Sequence, residues 1–124
     1  MGLFDRFRRG RRREPGTGAD LRYLSEWAAQ RTGVEAFVEP KTPVTPLTVV
    51  LVGADGAWTR RPIGGAADAR RLGKRLAIPV YDVQKVGYPK RMRDHDARRR
   101  IERRRRLRAE LNDTELDDTG SDQQ

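Results

Sequence analysis

The sequence predicts a small α+β domain, an antiparallel sheet of three or four strands with two helices on one face. Three observations carry this. Apolar residues cluster in the middle of a 124-residue chain, a length that suits one domain. That middle block alternates between helical and strand periodicity. Proline and glycine punctuate it at each change of period.

The first helix is expected at about 20–32. Asp20 stands as its N-cap, Leu21, Leu24, Trp27 and Ala28 recur at helical spacing, and Gly33 stops it. Residues 34–39 alternate and are bounded by Pro40, as a half-buried strand would be. Prolines at 40, 43 and 46 make a stiff connector that cannot lie inside a sheet. Residues 47–52 (LTVVLV) form the most strand-like run, Gly53-Ala-Asp-Gly56 is a hairpin turn, and residues 57–63 return as a third strand that Pro62 places at an edge. After Gly64-Gly65 comes a second helix. Its stripe of Ala69, Leu72, Gly73 and Leu76 is narrow, and Gly73 permits close approach to the sheet. Residues 78–86 read equally as a fourth strand or as a packed extension.

Charge marks the remaining boundaries. Lys and Arg number 27 against 18 Asp and Glu, a net charge of +9. Residues 1–13 carry six Arg and one Asp, residues 90–108 carry eleven basic and three acidic side chains, and the chain from Ala109 onward carries six acids and no base. Four segments follow: a basic arm at 1–17, disordered or amphipathic; the folded block at 18–90; a solvated basic helix at 91–111; and a disordered acidic tail at 112–124. Acid-before-base pairs Asp94/Arg98, Asp96/Arg100 and Glu102/Arg106 support that helix at i, i+4 spacing.

The order helix, three strands, helix over 20–77 resembles the double-stranded-RNA-binding domain. Leu24-Ser25-Glu26-Trp27-Ala28 is similar to the family's Leu-x-Glu-aromatic-Ala segment, and Glu39, the proline connector and the 47–52 strand follow in the family's order. In place of the family's Lys-Lys-x-Ala-Lys cluster stands Ala66-Ala67-Asp68-Ala69-Arg70, which keeps only Ala69 and the last cation, and Val44 stands near the place of the family's connector histidine. The resemblance implies phosphate contacts from the second helix. Residues 58–93 are also similar to a family of small proteins from high-GC bacteria, some of which carry an oxidoreductase label. The residues here supply no chemistry for that label.

Composition excludes several classes of chemistry. Cysteine is absent and His95 is the single histidine, which rules out disulfides, thiol redox chemistry and zinc sites built on cysteine or histidine clusters. There is no dinucleotide fingerprint, Walker A loop or nucleophile elbow. Glu39-Pro40-Lys41 has the Glu-x-Lys spacing of metal-dependent nucleases, but proline sits at its centre and no partner Asp is evident. His95 between Asp94 and Asp96 reads as a surface histidine. No cofactor or metal is expected, and neither a membrane span nor a signal-peptide h-region is seen, so the expected compartment is the cytoplasm.

The expected function is therefore non-catalytic RNA binding, on structured RNA or a ribonucleoprotein surface, with RNA favoured over DNA. Arg70, Arg71, Lys74 and Arg75 on the second helix, and Lys90, Arg91, Arg93, Arg98, Arg99, Arg103 and Arg104 on the basic helix, are the candidate phosphate contacts, because arginine's planar fork pairs phosphate bidentately. Glu26 is the candidate contact to a 2′-hydroxyl. The alternative is an adaptor that docks on an acidic protein or an anionic membrane surface. For the membrane, Leu3, Phe4 and Phe7 form one apolar edge on the Arg-rich arm. Arg6 occupies the place of the hydroxyl that myristoylation requires. A third reading is an enzyme whose site the sequence does not disclose.

Overall fold

The computed structural model describes residues 17–122, with side chains through residue 115. The elements run α1 (Gly18–Ala29), β1 (Glu35–Glu39), β2 (Thr48–Val52), β3 (Trp58–Pro62), α2 (Ala66–Leu76), β4 (Val80–Asp82), α3 (Val83–Val86) and α4 (Lys90–Asp122). The class is α+β, as expected. The strand order is β3-β2-β1-β4. β1 pairs antiparallel with β2, and β2 with β3, whereas β4 joins β1 in parallel. The sheet is thus mixed, a correction to the antiparallel sheet expected from the sequence. The physical reason is the crossover: α2 carries the chain from β3 back past β2 and β1, so that β4 enters in the direction of β1.

Alternation along each strand divides the sheet into two faces. On one face Ala36, Val49 and Leu51 pack with Leu24 and Trp27 of α1 and with Ala69 and Leu72 of α2. Both helices lie on this face, as the sequence predicts. Gly73 of α2 permits the close approach to the sheet, since a Cβ there would sit 2.3 Å from Val80 Cγ2. The opposite face carries Phe37, Val50 and Val52, packed with Met92 of α4 and with Trp58 and Val83. The domain therefore has three layers, and packing extends beyond residue 90, where the sequence reading ends the folded block.

Local boundaries follow the chemistry closely. Helix α1 begins at Gly18 with Thr17 as N-cap, so Asp20 is inside the first turn and not the cap. Its carboxylate is buried and accepts from Thr17 Oγ1 at 3.2 Å, a favoured place for a negative group beside the first helical N–H groups. Gly33, at φ 62°, turns the chain into β1. Edge strand β3 ends at Pro62, where the sequence predicts an edge, and β4 is an edge of only three residues. Short or proline-bearing edges resist pairing with other chains. Helix α4 continues to Asp122 and so includes residues 112–122, which composition alone assigns to a disordered tail. Extending an existing helix costs far less per residue than starting one.

Candidate nucleic-acid interface

The cations named from the sequence fall into two groups on opposite sides of the sheet. Arg70, Arg71, Lys74 and Arg75 are exposed on α2, whose apolar stripe packs against the Ala36, Val49 and Leu51 face. Arg71 is partly engaged, with Nη2 2.8 Å from Asp68 Oδ1. Glu26 is exposed on neighbouring α1. Between the ends of α1 and α2 lies an open depression whose lining includes Arg31 and Arg75. Arg31, which sequence reasoning passed over, stacks its guanidinium 4.0 Å above the Trp27 ring and donates to the Trp27 carbonyl. The i, i+4 spacing of Trp27 and Arg31 is the signal that could have found it.

Helix α4 holds the second group and divides into a docked and a free portion. The docked portion crosses the Phe37, Val50 and Val52 face. Arg91 is half-buried; its Nη2 lies 2.5 Å from Glu35 Oε1 and its Nε donates to the Gly53 carbonyl at 2.9 Å. Arg91 thus spends its Nε and Nη2 donors on docking α4 to the sheet, which leaves it less free for phosphate than the exposed arginines further along the helix. Trp58 Nε1 donates to both carboxylate oxygens of Asp96, at 3.0 and 3.2 Å. Of the three expected i, i+4 pairs, none appears among the ion pairs of the described residues, and the Trp58 contact explains the case of Asp96. The backbone of α4 passes so close to the 53–56 turn that a Cβ on Gly56 would sit 2.1 Å from the Arg91 carbonyl oxygen. His95 faces the same turn. Its ring is mostly covered, and Nδ1 is buried without a hydrogen-bond partner, 3.7 Å from Asp96 Oδ1. That corrects the expectation of a surface histidine: Gly56, lacking a Cβ, lets the turn lie close against the His95 Cβ.

From Ala97 through Glu115 every residue of α4 is exposed. Arg98 donates to the Asp55 carbonyl at 3.2 Å, and past it the helix stands clear of the sheet. Successive residues on a helix point about 100° apart, so Arg98, Arg99 and Arg100 already surround the axis. Arg103, Arg104, Arg105, Arg106 and Arg108 surround it again, and all are exposed. Lys90 and Arg93 are exposed near its start. Leu3, Phe4 and Phe7 lie outside the described residues.

One polar cluster fixes the far end of the same face. Glu39 accepts from Thr48 Oγ1 at 2.7 Å, from Arg60 Nε and Nη2 at 2.6 and 3.0 Å, and from the Tyr88 hydroxyl. Burial opposes the charge on Glu39, but these donors outweigh it and hold its carboxyl below the ordinary value. Burial and the bond to Glu39 raise Tyr88, and the bond to Glu39 raises Arg60. The carboxylate of the Glu-x-Lys segment is therefore committed to four donor atoms of three residues. Among the described residues, no three acidic or histidine side chains are grouped to hold a metal ion, and no helix is long and apolar enough to cross a membrane.

Compared with known proteins, the chain matches no family model, no curated protein and no solved structure.

Proposed function

We propose that the protein binds RNA without catalysing a reaction on it, acting on structured RNA or on a ribonucleoprotein surface. One observation carries the reading: the arginines of 98–108 surround a helix that stands clear of the domain, and among them only Arg98 has a hydrogen bond to the domain. An exposed helix with cations on every side meets phosphates whichever way it approaches, and each phosphate neutralised releases counterions. The exposed cations of α2 form a second, smaller contact on the other side of the sheet. They sit on a helix fixed by Ala69 and Leu72, so they set orientation, whereas the α4 arginines supply raw affinity. The preference for RNA rests on the resemblance of residues 20–77 and on the exposed position of Glu26, where a 2′-hydroxyl could be met.

Purification at low salt tests this directly. The protein is expected to carry excess absorbance at 260 nm that ribonuclease removes and deoxyribonuclease does not. Protein that emerges free of nucleic acid, and that sediments with anionic liposomes only when residues 1–13 are present, would put the adaptor reading in its place.

A further inference from the structure

Helix α4 is continuous from Lys90 to Asp122, and its two halves carry opposite charge. Residues 98–108 hold eight arginines and one acid, and the chain from Ala109 onward holds six acids and no base. A continuous helix cannot fold back on itself. Positions such as 100 and 118 are held about 27 Å apart along its axis, so beyond the i, i+4 neighbours Arg106 and Glu110 at the junction the acidic half cannot reach the basic half of its own chain. A second helix laid antiparallel can. We propose that α4 pairs antiparallel with α4 of a second copy of this chain, about a two-fold axis near Ala109.

In that register Leu107 lies opposite Leu111 of the second copy, and symmetry repeats the contact. Both leucines are large apolar side chains left more than half exposed, at 54% and 63%, and their i, i+4 spacing puts them on one side of the helix. Arg104, Leu107, Leu111 and Thr114 follow the 3-4-3 spacing of a coiled-coil seam. Outward from the leucines, Arg108 falls opposite Glu110 and Arg105 opposite Asp113. A parallel pair would instead set arginine block beside arginine block, which like charge opposes. Among the described residues the seam is open to a partner, since residues 97–115 are all exposed. With two leucines from each copy and the rest charge, the association is weak and salt-sensitive. It occupies the arginines assigned above to RNA, so RNA and the second copy compete for them, but the pairing does not depend on that assignment.

The test is sedimentation equilibrium on the full chain, freed of nucleic acid by nuclease and high salt. At low salt the mass is expected to rise with concentration from 14.2 kDa toward twice that value, and to fall back at high salt. The variants Arg105→Glu with Arg108→Glu, and Glu110→Arg with Asp113→Arg, should each stay monomeric alone. Mixed in equal amounts, they should form a heterodimer, because every reversed pair is then complementary. Circular dichroism checks that α4 stays helical in each. A parent that remains monomeric at low salt, a variant that self-associates like the parent, or a mixture that stays monomeric would each overturn the proposal.

Discussion

Gly56 shows how one residue without a side chain decides where a helix lies. It has φ 89°, and a Cβ added there would strike the Arg91 carbonyl and the His95 Cβ, at 2.1 and 2.8 Å. Neither obstacle can yield without moving α4, because one is helix backbone and the other the base of a side chain packed under the turn. Gly56→Ala should therefore lower stability by more than the ~1 kcal/mol of an ordinary left-handed alanine and loosen α4 from the sheet. Thermal melting would register the first effect, and a red shift in Trp58 emission, as its indole loses Asp96, the second. Glu39 makes a prediction about pH. Its carboxyl is held below the ordinary value of 4.5, so its contribution to stability is fully present above about that pH. It declines as pH falls through the lower folded value, because the unfolded state takes up the proton first. Glu39→Gln should remove that part of the acid sensitivity, so the stabilities of parent and variant in denaturant melts should draw together as pH falls below the ordinary value of 4.5. Parallel curves from pH 7 to pH 3 would show that the Arg60, Thr48 and Tyr88 contacts add nothing.

Among the elements, α4 separates what the sequence discloses from what it hides. Its docked turns bury Met92 to 7% exposure against Phe37, Val50 and Val52, while residues 97–115 of its outer turns are all exposed. A fragment ending at residue 99 should melt cooperatively close to the parent. One ending at residue 89 should lose several kcal/mol, since deleting Met92 alone corresponds to roughly 2–5 kcal/mol for a buried side chain. Equal melting of the two fragments would show that the docking is incidental. The docking was not legible because periodicity registers apolar repeats. Here one methionine is apolar and the rest of the grip is polar: Arg91 on Glu35, and Asp96 under Trp58. The first helix and β1 to β3 were legible to within a few residues, because Leu24 and Trp27 keep helical spacing and Val49 and Leu51 keep strand spacing around clear breakers. β4 was not, since three residues paired with the non-adjacent β1 leave no local pattern. For the candidate site, charge runs identified the helix that carries the arginines. They could not separate Arg91, which holds the domain together, from Arg99 or Arg103, which face solvent.

At the scale of the whole molecule, the three-layer domain acts as a mount for a projecting arginine helix. The two cation groups lie on opposite faces of the sheet, so a single duplex cannot be gripped by all of them as one continuous surface. That arrangement predicts separable effects: changes on α2 alter the preference between duplex RNA and duplex DNA, and changes on outer α4 alter affinity for both. The most direct test of the account is the salt dependence of binding by Arg99→Gln, Arg103→Gln, Arg104→Gln and Arg106→Gln combined, four exposed side chains that can change without touching the docked turns. Filter binding of a duplex RNA and the matching duplex DNA should show weaker binding of both. For the DNA, the slope of log affinity against log salt should flatten by about 0.9 for each phosphate that the variant no longer neutralises. Affinity and slope equal to those of the parent would contradict the claim that the projecting helix binds nucleic acid.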